Sequence, residues 1–308
     1  MPGRHRTAAE SCRPGPDAPR LAAGIGRQQQ DRRSGQHAEL LSRAGQRHRI
    51  TGMIVRLADL TRDRVEELAA DSLVVLPTAS IEQHGPHLPV GVDTFLCEAV
   101  VTRAAQRATC GIVVAPTLRY GDSAHHFPFP GVLTLSSGSY VAAVGELCDS
   151  LYRSGFRRLA VINGHGGNDA GNEIATRDLL HRAERDVTVS AAAYWDIART
   201  ALVAETDLAN SLIPGHAGRF ETALMLAVRP ELVDREALAR IGEGGDTSGG
   251  RFRSLPGAAT SRVRAAGGWQ AGGGFTDQPA LAETAAGARY LEVITREVAA
   301  FLDALATR

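Results

Sequence analysis

From residue 53 onward, short unbroken apolar runs alternate with longer stretches in which apolar residues recur every three or four positions. Leu73-Val74-Val75-Leu76-Pro77, Ile112-Val113-Val114-Ala115-Pro116 and Leu159-Ala160-Val161-Ile162, with a fourth run at 187–193, have the length of strands. An unbroken apolar run of that length suits a strand covered on both faces. Between the runs the spacing predicts helices. Residues 60–69 can form a short one, capped by Thr61, with Val65, Leu68 and Ala69 inside. Residues 94–108 carry Phe95, Ala99, Val100 and Ala104 near helical spacing; 139–154 bury Val141, Val144, Leu147, Cys148 and Leu151 and close on Gly155. Further helices are expected at 169–185, after Thr222 as far as Pro230, and at 284–305. The last sets Tyr290, Leu291, Ile294, Val298, Phe301, Leu302 and Leu305 on one face, against the core or a subunit partner. Residues 241–279 are Gly-rich and read as a long excursion over the surface. Strands of four to six residues alternating with helices of about fifteen imply an α/β fold with a mostly parallel sheet covered on both faces.

The polar segments that leave these strands concentrate chemistry. Residues 81–93 hold Glu82, His84, His87 and Asp93. Glu82 and His84 are two apart, so in an extended segment they point to the same side. Asp93 has two oxygens with which to bridge two cations. The turn Asn163-Gly164-His165-Gly166-Gly167-Asn168 follows the third run and offers His165. It matches neither Gly-x-Gly-x-x-Gly nor the P-loop pattern; its glycines are better read as bringing His165 close to another group. Residues 120–131 put His125 and His126 on a loop too rich in Gly and Pro for regular structure, and 194–196 read as a polar turn. All of the turns that follow strand ends should meet at one sheet edge, where imidazole and carboxylate at this density suit a divalent metal of the zinc or manganese kind.

Length and charge narrow the setting. The chain has 308 residues and 44% hydrophobic content, enough for a sizeable core, and 34 basic residues balance 34 acidic ones. No net field points to nucleic acid or a membrane. All the basic residues are Arg, which reads as compositional bias. No apolar run approaches the roughly 20 residues of a membrane span, and residues 1–30 lack the apolar core of a signal peptide, so a cytoplasmic protein is expected. Cys12, Cys97, Cys110 and Cys148 have no metal-ligand spacing. Residues 1–52 differ from the rest, with ten Arg against four acidic residues and little apolar periodicity. They read as a disordered Arg-rich extension, with Met53 as the natural start, and a basic nucleic-acid arm as the alternative.

Four ordered motifs carry a family resemblance: Glu82-Gln-His-Gly-Pro-His-Leu-Pro with Asp93; Asn163-Gly-His-Gly-Gly-Asn; Tyr194-Trp-Asp; and His216-Ala-Gly-Arg-Phe-Glu-Thr. Together, over residues 53–308, they resemble the creatininase (creatinine amidohydrolase) family. The resemblance implies a three-layer α/β/α domain, two divalent ions (zinc or manganese, iron in some members), hydrolysis of non-peptide or unusual amide bonds, and often a hexamer. It further implies Glu82 and His165 as ligands of one metal, His84 as a ligand of the other, Asp93 as the bridge, His216 as the proton carrier and Trp195 as a pocket aromatic. His87 and His126 are expected to line the pocket or to hydrogen-bond to the ligands.

The departures concern substrate. Creatinine-hydrolysing members carry an aromatic and a metal-binding glutamate where this chain has Gly166 and Gly167, and a second lid tryptophan where it has Leu212. One ligand is therefore unassigned. Glu221 is the nearest candidate, with a helix-start carboxylate bound to backbone amides as the alternative. The expected substrate is a small-molecule amide such as a lactam or formamide. Competing readings are creatinine itself, peptide trimming of a mycofactocin-type precursor, and a catalytically silent metal-binding subunit.

Overall fold

The computed structural model describes residues 54–181, 186–209, 211–244, 270 and 272–308. The Arg-rich segment 1–52, Met53 and most of the excursion at 241–279 lie outside these residues. Five strands, β1 Val55–Arg56, β2 Leu73–Thr78, β3 Ile112–Val114, β4 Arg158–Asn163 and β5 Thr188–Ala193, form one sheet in the order β1-β3-β2-β4-β5. Every pairing is parallel. Among the described residues the helices are α1 Arg62–Ala69, α2 Val92–Arg107, α3 Ser137–Arg153, α4 Asp169–His181, α5 Tyr194–Glu205, α6 Arg219–Val228, α7 Arg235–Gly244 and α8 Thr284–Ala306.

The two-residue period of the strands builds the layers. Leu73, Val75, Ala160 and Ile162 face one core, shared with residues of α2, α5, α6 and α8. Val74, Leu76, Leu159 and Val161 face the other, shared with α1, α3 and α4. This is the three-layer α/β/α arrangement. The helix starts follow their caps: Thr61 Oγ1 accepts from the Arg64 amide at 3.3 Å and Ser136 Oγ from that of Ser139 at 3.3 Å.

Two local expectations are corrected. Helix α2 begins at Val92, so Asp93 belongs to its first turn and not to the loop, with the Phe95 amide already bonded to the Gly91 carbonyl at 3.0 Å. Residues 194–196 are the first turn of α5 and not a polar turn. Tyr194, Trp195, Ala198 and Leu202 are buried at helical spacing, and that period begins directly at the end of β5. Among the described residues no helix is long and apolar enough to cross a membrane.

Candidate metal centre

The site lies where the strand order reverses. From β2 the chain crosses to β3 on one side, while β4 pairs on the other, so a crevice opens at the carboxyl ends of β2 and β4. Thr78 and Asn163 are paired in register, and the chain therefore leaves both strands at the same level. Glu82, Gln83 and His84 follow from one strand and His165 from the other. The Asn163 side chain fixes the second turn: Oδ1 accepts from the His165 amide (3.1 Å), while Nδ2 donates to the His165 carbonyl (2.6 Å) and to Asp169 (2.7 Å). Gly164 admits α2, since a Cβ there would stand 2.7 Å from Cys97 Cβ and 2.9 Å from the Asp93 carbonyl oxygen. That close approach carries Asp93 to His165. The turn leading into α6 supplies His216, and the first turn of α6 supplies Glu221.

Asp93 Oδ1 is 3.1 Å from His84 Nε2, and Asp93 Oδ2 is 3.2 Å from His165 Nδ1. Glu82 Oε2 is 3.3 Å from the same His165 nitrogen, and its Oε1 is 3.1 Å from His126 Nε2 and 3.5 Å from His216 Nδ1. Glu221 Oε2 lies 3.8 Å from His84 Nε2 and also accepts from the Ala217 amide at 2.5 Å, so the backbone bond leaves the carboxylate beside the cluster. None of these residues is more than 6% exposed. Three carboxylates confined with four imidazoles out of water require compensating cations.

The hydrogen bonds select which ring nitrogen faces the cluster. A carbonyl can only accept, so His84 Nδ1–H donates to the Glu82 carbonyl (3.2 Å) and His165 Nε2–H to that of Asp122 (3.1 Å). His84 Nε2 and His165 Nδ1 are thereby turned inward as lone-pair donors, the way outer hydrogen bonds orient metal-ligating histidines. Glu82 Oε2, His84 Nε2 and Asp93 Oδ2 are buried with no hydrogen-bond partner of acceptable geometry. Donor atoms of Glu82, His84 and Asp93, and separately of His84, His216 and Glu221, lie within 4.8 Å of one another. The residues fit divalent cations.

In the metal-free site, protons take the place of cations. Burial opposes charge on His84, yet Asp93, Glu221 and Glu82 outweigh it and push its pKa up to about 9. Burial likewise opposes charge on His165, and Glu82 and Asp93 raise it well above the usual imidazole range. Burial pushes Glu221 up to about 8, with Asp93 and Glu82 adding to the rise against His84. Burial would also raise Glu82, but His165 and His126 hold it well below the usual carboxylate range. Burial, His84 and His126 together hold His216 well below the imidazole range.

The other expected residues divide. His126 stands on Glu82 and Gln83. His87 is buried beside the cluster, its Nε2 2.8 Å from Thr222 Oγ1, and burial, then His84, pushes its pKa down to about 4. Trp195 is placed in the apolar core, edge-to-face on Tyr194 at 4.9 Å. Sequence reading overlooked Gln83. Its Oε1 accepts from the Gly85 amide (2.9 Å), which turns its NH2 group to His126 Nδ1 and His216 Nε2, each at 2.9 Å. His216 Nε2 also lies 2.8 Å from the Gln83 carbonyl, so this nitrogen finds a partner with or without its proton. The place of Gln83 between two candidate ligands was the available signal. The end of the excursion is no surface feature either. Thr276 is buried and pairs with His216 through both backbone directions, its Oγ1 accepting from the His216 amide at 2.8 Å and its own amide donating to the His216 carbonyl at 2.8 Å.

Gly167 has no room for a side chain: a Cβ would fall inside contact distance of the Asp122 carbonyl oxygen and the His165 ring. Nothing lies within 4 Å of a Cβ at Gly166, and Leu212 is 48% exposed.

Comparison with known proteins places the chain among relatives of one family. The family model for creatininase, described as creatinine amidohydrolase, matches residues 58–302. The chain is 34% identical to a creatinine amidohydrolase of Pseudomonas putida over 178 residues, 54% of this chain and 68% of that protein. It is 33% identical to a mycofactocin precursor peptide peptidase of Mycolicibacterium smegmatis over 166 residues, 52% of this chain and 59% of that protein. A solved structure of creatinine amidohydrolase (creatininase) superposes at TM-score 0.67, with 29% identity over 80% of this chain and 96% of that one. One described as "Creatininase Mn" does so at 0.67, with 28% identity over 81% and 97%.

Proposed function

The chain belongs to the creatininase family, and we propose that it is a metal-dependent amidohydrolase cleaving the C–N bond of a non-standard amide, a lactam, formamide or similar small molecule. The observation that carries this reading is the set of inward-facing, unpartnered Glu82, His84 and Asp93 atoms at the switch point. Glu82, Asp93 and His165 would hold one cation, and His84, Asp93 and Glu221 a second, so that both would draw on Asp93. The donor set of imidazole and carboxylate suits zinc or manganese, with iron as a further possibility. When bound, such ions supply a water of lowered pKa and polarise the amide carbonyl.

The chain's own residues supply the rest. Gln83 holds His216 at Nε2 and leaves Nδ1 turned to the carboxylate cluster, 3.5 Å from Glu82 Oε1. As the carbonyl carbon gains the water oxygen, His216 Nδ1 takes the proton that the water gives up and passes it to the departing nitrogen as the C–N bond breaks. His126 holds Glu82 through Oε1, keeping Oε2 directed at His165. Glu221 supplies the carboxylate that Gly167 cannot carry. Gly166 and Leu212 stand where creatinine-hydrolysing members carry their lid aromatics, and the loss of that lid argues against creatinine as the substrate.

A second reading, trimming of a precursor peptide, is favoured by the likeness to the mycofactocin precursor peptide peptidase. A cytoplasmic homo-oligomer, a hexamer in the family's manner, completes the proposal. The test is metal analysis of the purified protein, then incubation of the metallated protein with lactams, formamides and short peptides, read by mass change. Absence of bound or bindable divalent metal, or no cleavage across the panel by a fully metallated sample, overturns it.

A further inference from the structure

The neighbour of His126 also reaches the cluster. His125 has no part in the reading above, yet one donor atom each from Glu82, His125 and His165 lies within 4.8 Å of the others. Donors sharing one ion at about 2.1 Å stand roughly 3–4 Å apart. The His125 ring is nearly parallel to that of His165 (11°, centroids 5.8 Å apart) and 4.4 Å from that of His126. Both histidines lie on a single 3₁₀ turn, Ala124–His126, where consecutive side chains diverge by about 120°. The two rings nonetheless stay in contact, and both reach the Glu82 carboxylate. His126 turns inward to Oε1 and is buried, while His125 is half-buried and stands over His165.

The turn is held without help from an ion. The His126 amide donates to the Ser123 carbonyl (2.9 Å), the Ser123 amide to Thr134 Oγ1 (2.8 Å) and the Asp122 amide to Asn168 Oδ1 (3.0 Å). His165 Nε2 closes the frame on the Asp122 carbonyl. Absence of a side chain at Gly167 permits this approach of the loop to the His165 ring. His125 is thus delivered to the outer side of one cation position by the same contacts that orient His165.

The geometry points to His125 as a further protein ligand, closing the solvent side of the cation position formed by Glu82, Asp93 and His165. This rests on the reading of the cluster as a metal centre. That position then has four protein donors, two carboxylates and two imidazoles, and is the more closed of the two. The position at His84, Asp93 and Glu221 is left as the one with room for water and substrate.

The test uses the full-length metal-free protein, Co(II) as probe and chelator competition as readout. Wild type is titrated first: uptake of two equivalents is required by the metal-centre reading, and failure to bind Co(II) overturns that reading and this inference with it. His125→Phe then keeps a ring over His165 but cannot ligate, and His125→Glu removes the ring but can. Expected are a 10- to 100-fold loss of affinity for one equivalent in His125→Phe, with the other unchanged within about threefold, and recovery to near wild type in His125→Glu. Co(II)-shifted imidazole N–H resonances should number one fewer in His125→Phe. Wild-type affinity in His125→Phe, equal weakening of both equivalents, or no recovery in His125→Glu overturns the assignment and leaves His125 as a stacking wall.

Discussion

Asp93 Oδ2 stands 3.2 Å from His165 Nδ1, although the two residues come from a helix and a strand end 72 positions apart in the chain. Its other oxygen is 3.1 Å from His84. In the proposed centre both cation positions would therefore draw on Asp93. Asp93→Ala should lower the affinity for both equivalents by on the order of 100-fold or more, leaving bound metal near background after dialysis. Elemental analysis of the variant, with circular dichroism to confirm the fold, decides it. Wild-type metal content and activity in this variant would remove the bridging role.

Much of this was legible in the sequence because it rests on short-range patterns. Four of the five strands were visible as runs, three of them unbroken, since a strand covered on both faces has no polar phase to hide it; β1, only two residues long, was not. Glu82, His84 and His165 were legible as residues leaving strand ends. What the pattern could not show was set by long-range contacts. Asp93 reads as loop because Gly91 and Pro89 precede it, but α2 already starts at Val92 to pack on Gly164. Tyr194-Trp195-Asp196 looks polar at its last residue only, and the helical period behind it was masked by the adjoining strand. The match of Glu221 to His84 depends on how α6 docks across the crevice, which no local spacing encodes.

The protonation of the metal-free site has a consequence for stability. His84 is raised to about 9, and Glu221 to about 8, with His165 also raised. Between pH 6.5 and 9 the folded metal-free protein therefore binds more protons at these groups than the unfolded chain does. Stability falls as pH rises wherever the native state binds the excess. The contribution of His84 is full below pH 6.5 and is lost as pH passes about 9. Metal binding must displace these protons, so affinity should rise with pH up to about 9. Thermal melts of metal-free and metallated protein from pH 6.5 to 9 should show the gap in Tm widening with pH; a constant gap contradicts the assignment.

Gly166 and Gly167 are adjacent and should respond oppositely to substitution. A Cβ at Gly167 meets the Asp122 carbonyl and the His165 ring, whereas one at Gly166 meets nothing within 4 Å. Gly167→Ala should cost about 1–3 kcal/mol through overpacking and weaken the cation held by His165. Gly166→Ala should leave stability within about 0.5 kcal/mol. Urea denaturation of the two variants, with matched metal titrations, measures both effects.

His216 separates proton transfer from metal binding. It belongs to the buried cluster, yet its Nε2 is held by Gln83 and not by a carboxylate, and its ring packs 4.3 Å from those of both His84 and His126. A residue that supplies a proton to the leaving nitrogen contributes about 10²- to 10⁴-fold to the rate and little to affinity for the ions. His216→Ala should therefore retain wild-type metal content while kcat falls by that range on whichever amide the wild type cleaves. Substrates with a better leaving group need less help from an acid, so the loss should shrink along a series of amides with increasingly acidic leaving amines. A uniform loss along that series would assign His216 to positioning instead, and a fall in metal content equal to the fall in rate would make it a ligand.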